Sequence, residues 1–213
     1  TFFLIMAFYA FILGVKKKNY FYFKIIPIIF CFSFLSKQTP AAYGLIVILP
    51  LILLLCLSDK NNIREIILSF IVGSFGAIVF LFLFFFLTNI NIENFVNQYI
   101  LYAGSIGDYR ISNYEFNFLD LILNFKFINI LILILFIILV KLILKEHRLT
   151  KDTLVILTFI TLSLVLIFHQ FYTLNQNYIF FIIPILSCVI HVFYKKVFKK
   201  NYLLIFVFLL CIF

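Results

Sequence analysis

The chain has 213 residues, of which 66% are hydrophobic and 12% are charged. Roughly a quarter of the residues of a water-soluble domain are charged, so this composition excludes an ordinary soluble fold and indicates a protein of the lipid bilayer. The formal net charge of +9 would suit a nucleic acid partner. However, the cations lie in short connections between apolar runs, a pattern that predicts membrane topology and no nucleic acid partner.

Apolar runs recur along the whole chain at the length of about 17–22 residues that a helix needs to cross the hydrocarbon core. The runs are continuous, whereas the strands of a membrane barrel alternate polar and apolar residues. We therefore predict an all-α, polytopic membrane protein with about eight transmembrane segments in a single domain, residues 1–213. The first and last runs are expected to be truncated, and the chain is expected to be a fragment. The predicted spans are 1–15, 20–36, 40–57, 66–87, 121–140, 153–171, 178–194 and 201–213.

The connections between these spans differ in charge. When alternate connections are assigned to one side of the membrane, 14 Lys and Arg residues fall on that side and three, Lys37, Arg110 and Lys126, fall on the other. Because positively charged connections stay in the cytoplasm, we predict that the side with 14 cations is cytoplasmic. The chain is thus predicted to be a multi-pass protein of the cell (inner or plasma) membrane. The long connection 88–120 and most of the unusual polar residues face outward, and so does the predicted active face.

The segment SKQTP, residues 36–40, starts the third span at its outer end. Thr39 suits the N-cap position, and Pro40 suits the first helical position, where no backbone N–H is needed. The free N–H groups and positive dipole end of such a helix, with Lys37 beside them, favour an anion such as a phosphate at headgroup depth. The alternative is that the Lys37 side chain extends to the lipid headgroups and binds no specific ligand.

A second polar group, HQFYTLNQN, begins at His169 near the end of the sixth span. His169 and Gln170 at the edge of an apolar helix are costly unless they face a polar cavity or a partner. Their imidazole and amide groups, with the amide of Gln176, suit sugar hydroxyls or a phosphate. The alternative is an ordinary polar turn with an interfacial histidine, and Asn175 and Asn177 are typical of turn chemistry.

The outward connection 88–120 is long enough to contain structure of its own. Its first part has apolar side chains at helical spacing and polar side chains opposite, which predicts an amphipathic helix that lies flat on the outer leaflet. The apolar positions are Ile92, Phe95, Val96, Tyr99, Ile100 and Ala103. Asp108, Tyr109 and Arg110 then add charge and aromatic surface. Long loops commonly have a function, while Tyr109 and Tyr114 equally suit anchoring at the membrane interface.

The fourth span contains a patch of small residues, Gly73, Ser74, Gly76 and Ala77. Small residues let two membrane helices approach closely, so the patch predicts a helix–helix contact. Elsewhere the chain has no Walker-type loop, no HExxH, no CxxC and no GxSxG. The absence of these motifs means that the sequence does not predict a nucleotide site, a zinc-protease site or a serine-hydrolase site.

The order of these features resembles the C-terminal part of the membrane region of GT-C-fold glycosyltransferases. An outer Lys-Gln-Thr-Pro starts a span, an outward loop carries a flat amphipathic helix, and a His-Gln…Asn-Gln hairpin precedes a span that contains proline. The chain is most similar to the bacterial branch related to protein mannosyltransferases and lipid A aminoarabinose transferases. The resemblance implies transfer of a sugar from a polyprenyl-phosphate donor, at the outer face, to an acceptor glycan, lipid or protein that the sequence does not identify.

The resemblance also implies roles for particular residues. Donor phosphate binding is implied for Lys37, Gln38 and Thr39, and a place in the substrate cavity for His169, Gln170 and Gln176. Outward-loop residues of interest are Tyr99, Asp108, Tyr109 and Arg110. The catalytic acidic residue of these enzymes lies in the first outer loop and is expected upstream of residue 1. No cofactor and no metal site are predicted, use of a divalent metal stays open, and the surrounding partners are membrane lipids.

Other functions remain open from the sequence. A transporter or flippase of lipid-linked sugars predicts polar or broken helices near the bilayer midplane, where this chain is almost purely apolar. An outer-face polysaccharide polymerase or ligase shares the lipid-linked substrate but is expected to carry more arginines in large outer loops. A structural membrane subunit has no residue pattern in its favour.

Overall fold

The computed structural model describes residues 2–102, 104–106, 118–173 and 179–198. Every regular element within these ranges is a helix, which confirms the predicted all-α class. The helices are α1 (Phe2–Lys17), α2 (Phe21–Ser36), α3 (Gln38–Ser58), α4 (Ile63–Thr88), α5 (Ile92–Phe95), α6 (Phe118–Asn124), α7 (Lys126–Glu146), α8 (Lys151–Thr173) and α9 (Ile182–Phe198). A 3-10 turn, Lys60–Asn62, precedes α4, and a π-helix, Val96–Leu101, continues α5. The predicted span 201–213 lies outside the described residues.

Within the described ranges, four helical segments are long and apolar enough to cross a membrane. They are Gln38–Ser58, Lys60–Thr88, Lys126–Glu146 and Lys151–Phe171. The helices α1, α2 and α9 have 16, 16 and 17 residues, short of the about 20 that a full crossing needs. The described residues therefore support a membrane protein with several spans, and the predicted count of about eight is not confirmed.

The predicted span 121–140 is wrong at both ends. Its first residues belong to α6, which ends at Asn124, and α7 begins at Lys126 and continues to Glu146. The amide of Asn129 donates to the carbonyls of Leu121 and Ile122, at 3.3 and 3.2 Å. These carbonyls lie in the last turn of α6, where a helix leaves acceptors without intrahelical partners. The side chain of Asn129 therefore stabilises a helix break that the apolar pattern does not reveal.

The core of the bundle is centred on α8, which packs against α1, α3 and α7. In the 18-residue apolar stretch of α8, 72% of the residues are buried, whereas in that of α4 the buried share is 11%. The α4 helix contacts α2 through a narrow stripe, and a Cβ added to Gly73 would lie 2.0 Å from the carbonyl oxygen of Lys24. The predicted close contact at the small-residue patch is thus confirmed. Most of the remaining α4 surface is apolar and exposed, as Phe75 and Phe82 illustrate.

The connections gather at two ends of the bundle. The basic end contains the α1–α2, α3–α4 and α7–α8 connections and the last turns of α9, which share one cavity. The opposite end contains the α2–α3 turn, α5 with its π-helix, and the last turns of α8. There a hydrogen bond joins Gln38 to Tyr99, and the rings of Tyr43 and Phe168 meet at 5.2 Å. This arrangement agrees with the predicted alternation of the connections.

Candidate functional site

At the α2–α3 turn, which lies at the opposite end, the N-cap residue of α3 is not the predicted one. Lys37 has an extended backbone (φ −161°, ψ 116°) and is itself the N-cap of α3, with no side-chain capping bond. The prediction of Thr39 as N-cap is wrong, because the helix starts at Gln38 and Thr39 is its second residue. Pro40 is consequently the third helical residue, not the first. It is still tolerated, since none of the first four N–H groups of a helix has an intrahelical partner.

Lys37 is exposed at this turn. Within the described ranges its ammonium forms no ion pair and no hydrogen bond. It stands at the positive end of the α3 dipole, beside N–H groups that the helix leaves free. The turn thus presents a cation and several donors together, which is the arrangement that favours a phosphate.

The helix that follows α4, which consists of α5 and its π-helix, docks on this turn through Tyr99. The phenol hydroxyl donates to the carbonyls of Phe34 and Leu35, at 2.5 and 2.7 Å, in the last turn of α2. In return, the side-chain amide of Gln38 donates to the carbonyl of Tyr99. Phe95 stacks on Tyr99 with ring centroids 4.8 Å apart. Gln38 and Tyr99, predicted as separate site residues, therefore form one contact that joins the turn to the loop.

The predicted amphipathic face of this loop is only partly buried. Phe95, Val96 and Tyr99 are half-buried against the bundle, whereas Ile92 and Ile100 are exposed. Asn91 caps α5, because its side-chain oxygen accepts from the N–H groups of Glu93 and Asn94. The exposed apolar positions are consistent with contact to lipid, as an interfacial helix requires.

His169 and Gln170 are buried in the last turns of α8, with side chains 1% and 5% exposed. Both ring nitrogens of His169 and the side-chain oxygen of Gln170 lack a hydrogen-bond partner, as does the hydroxyl of Ser33 on α2. Within the described ranges, no other buried side-chain nitrogen or oxygen lacks a partner. A buried polar group without a partner costs about 1–3 kcal/mol. All of these unpaired atoms lie at the opposite end of the bundle.

The structure brings His169 and Lys37 to the same region. The helices α3 and α8 pack side by side, and Tyr43 meets Phe168, the residue before His169. The imidazole lies deeper in the bundle than the cation, since Tyr43 is six residues after Lys37, which is about 9 Å of helix rise.

An apolar groove runs along α3 and α8 just below this region. Its volume is about 270 Å³. It is lined by Tyr43, Ile46, Val47, Thr161, Leu164, Val165 and Phe168. The only hydroxyl that is not aromatic among them, that of Thr161, donates to the carbonyls of Leu157 and Thr158. The groove is therefore an apolar surface that lies below Lys37 and the polar side chains of His169 and Gln170.

Four predicted site residues cannot be placed in this geometry. Gln176, Asp108, Tyr109 and Arg110 lie outside the described residues, and their roles stay predictions. Thr39 is exposed beside Lys37, as donor binding requires. Among the described residues, no three His, Cys, Asp or Glu side chains come together as a metal site.

The sequence did not predict the cavity at the basic end, whose volume is about 600 Å³. Asp152, in the first turn of α8, pairs there with Lys16 of α1 at 2.5 Å and also with Lys196 of α9. These cations were interpreted only as a topology signal. The one sequence signal for this cavity is Asp152, a carboxylate in the first turn of a helix that follows a basic connection.

Comparison of the chain with protein-family models, with curated proteins and with solved structures gives no match.

Proposed function

We propose that this chain belongs to a membrane glycosyltransferase of the GT-C type, which takes a sugar from a polyprenyl-phosphate donor. The observation that carries the proposal is that exposed Lys37 lies at the same end of the bundle as buried His169 and Gln170, whose ring nitrogens and side-chain oxygen lack hydrogen-bond partners. A cation with free helix N–H groups suits a phosphate, and imidazole and amide groups suit sugar hydroxyls. The Lys-Gln-Thr-Pro and His-Gln segments that carry the resemblance to these enzymes contain these residues.

Under this proposal the basic end faces the cytoplasm and the opposite end faces outward, as the positive-inside rule predicts. The short helices α1, α2 and α9 and the segment 201–213 cross the membrane as well, which gives about eight spans. The candidate donor site then lies at the level of the outer headgroups. A lipid-linked phosphate in the outer leaflet reaches it without crossing the bilayer.

In this proposal the prenyl chain of the donor lies in the groove along α3 and α8. A prenyl chain that enters the groove beside Val47 and Leu164 directs its phosphate toward the start of α3 and Lys37. In the bilayer the prenyl chain is already in an apolar environment, so the groove contributes van der Waals packing and little net hydrophobic free energy. The phosphate contributes the specificity through Lys37 and the helix N-terminus.

The proposed chemistry of this site is stabilisation of the leaving group. As the bond between sugar carbon and phosphate oxygen breaks, negative charge grows on the prenyl phosphate. A fixed cation and oriented N–H groups stabilise that charge more in the transition state than in the ground state. His169 and Gln170 reach the sugar only when the ends of α3 and α8 separate, because both side chains are buried in this structure. The contribution of this chain to the reaction is thus donor binding and leaving-group stabilisation, and the acceptor glycan, lipid or protein is left open.

The middle of α8 argues against transport as the main function. A transporter presents polar groups to a substrate near the midplane. The hydroxyls of Thr158, Thr161 and Ser163 instead donate to carbonyls of their own helix four residues earlier, at 2.7, 2.9 and 2.7 Å. They are therefore engaged within α8 and do not line a path.

The test is binding of a short-chain polyprenyl phosphate to the purified protein in detergent. We expect Lys37→Ala to weaken binding about tenfold, the effect of losing one charge-assisted contact. The matched control is Lys126→Ala, which removes an exposed lysine from the start of α7 at the same end of the bundle. Affinity is measured by quenching of the tyrosine fluorescence or by calorimetry.

Equal affinity for prenyl phosphate in Lys37→Ala and the unaltered protein would contradict the donor site. Absence of binding to either protein would contradict the glycosyltransferase proposal as a whole. If the site is correct, a synthetic prenyl-phosphate sugar competes with the prenyl phosphate for it.

A further inference from the structure

The cavity at the basic end is separate from the candidate donor site and combines residues from most of the helices. Its walls come from the end of α1, the start of α2, the α3–α4 connection and the start of α4, the end of α7, the α7–α8 connection, the start of α8 and α9. Its cationic lining residues are Lys16, Lys18, Arg148, Lys151 and Lys196, and its carboxylates are Asp59, Glu146 and Asp152. The lining is therefore positively charged overall, although it lies between packed helices.

The ion pairs in this cavity leave an excess of cations. Asp152 is shared by Lys16 and Lys196, and its side chain is 16% exposed. Within the described part of the chain, Lys18, Arg148 and Lys151 form no ion pair. One carboxylate thus holds two ammonium groups, and three further cations face the same space.

Lys151 shows how closely these charges are grouped. Its ammonium lies 3.4 Å from the carbonyl oxygen of Lys16. Lys16, Lys18 and Arg148 line the same cavity as Lys151. Like charges held together in a partly desolvated site cost free energy, which a bound anion offsets.

The N-terminus of α8 adds donors to the cavity wall. Thr150 and Thr153 cap this helix reciprocally: the Thr150 N–H donates to the Thr153 hydroxyl at 2.8 Å, and the Thr153 N–H approaches the Thr150 hydroxyl at 3.3 Å. The N–H groups of Lys151 and Asp152 belong to the same first turn and have no carbonyl partner within the helix. The positive end of the helix dipole therefore adds to the charge of the lysines.

We propose that this cavity binds a phosphate-bearing anion. Basic pockets between membrane helices suit anionic lipid headgroups, and a soluble phosphate has the same chemistry. The site lies at the other end of the bundle from Lys37, so it is independent of the proposed donor site. A bound phosphate adds to the contacts that Asp152 and Lys151 already make between α1, α8 and α9.

The experiment measures thermal unfolding of the full chain in a phosphate-free maltoside detergent. The probes are inorganic phosphate in one arm and short-chain phosphatidylglycerol in the other. Every protein carries Lys37→Ala, so that the candidate donor site does not contribute to the shift. The cavity variant is Lys18→Gln with Arg148→Gln, and the matched control is Lys60→Gln with Lys145→Gln, two exposed cations near the same end that do not line the cavity.

We expect the unfolding midpoint to rise with at least one probe in the control. We also expect the cavity variant to need about tenfold more of that probe for half of the rise. A rise with phosphatidylglycerol alone assigns a lipid headgroup, and a rise with inorganic phosphate alone assigns a soluble ligand. No rise with either probe, or the same half-saturating concentration in the cavity variant and the control, would overturn the proposal. If the double variant does not fold, Arg148→Gln, in the exposed α7–α8 connection, replaces it with the same criteria.

Discussion

At the scale of the residue, Tyr99 joins parts of the chain that are about 65 positions apart. Its hydroxyl donates to two carbonyls at the end of α2, and its own carbonyl accepts from Gln38 at the start of α3. Burial raises the pKa of the Tyr99 phenol, so the hydroxyl stays protonated and donates at neutral pH. Tyr99 therefore holds the outer loop over the turn that carries Lys37.

Removing this hydroxyl tests that role. We expect Tyr99→Phe to lose about 1–2 kcal/mol of the free energy that keeps residues 92–101 docked, because two acceptors lose a shared donor while the ring stays in place. Hydrogen exchange of the loop amides, followed by mass spectrometry, is expected to become roughly 5- to 30-fold faster. Tyr102→Phe is the control, since that side chain is 65% exposed. Equal exchange rates in the two variants would show that the Tyr99 hydroxyl does not hold the loop.

At the scale of the element, the α2–α4 contact depends on one glycine. A Cβ at Gly73 would lie 2.0 Å from a backbone oxygen of α2, which cannot move aside as a flexible side chain can. At Gly76, one turn further along α4, the nearest atom to an added Cβ is the terminal carbon of Ile28 at 3.7 Å, an ordinary contact. The two glycines have the same helical backbone but different neighbours.

This difference gives a matched pair of substitutions. We expect Gly73→Ala to destabilise the protein by about 1–3 kcal/mol, because the helices must separate to admit the methyl group. Gly76→Ala is expected to be neutral or slightly stabilising, since alanine is the better helix former. Unfolding in mixed micelles of mild detergent and dodecyl sulfate measures both. A Gly73→Ala protein as stable as Gly76→Ala would mean that the two helices do not approach each other this closely.

The same scale shows why element boundaries were only partly predictable. Apolar runs predicted the positions of α2, α3, α4 and α8 within a few residues, because the bilayer sets a minimum length for a crossing helix. The break at Phe125 was not predictable, since it depends on Asn129 reaching back to α6. Asn129 lies within a run of isoleucine and leucine. The neighbouring residues do not show whether its side chain caps the preceding helix or is simply a polar residue inside a membrane span.

At the scale of the whole molecule, charge distribution predicted which connections meet at one end. It did not predict the basic-end cavity, because its five cations, Lys16, Lys18, Arg148, Lys151 and Lys196, converge only after α1, α8 and α9 pack together. The packing of α3 against α8 places Lys37 and His169 at the same end of the bundle. The contact of Gln38 with Tyr99 had no signal in the sequence, since it joins two segments through side-chain hydrogen bonds across a large separation.

The most direct test of the donor site is photolabelling with a polyprenyl phosphate that carries a diazirine on the isoprene unit nearest the phosphate. Mass spectrometry then locates the labelled residues. We predict labels on the groove between α3 and α8, at Tyr43, Val47 and Leu164, and a marked loss of these labels in Lys37→Ala. Labels spread along the exposed apolar face of α4, with no enrichment in the groove and no effect of Lys37→Ala, would contradict the account.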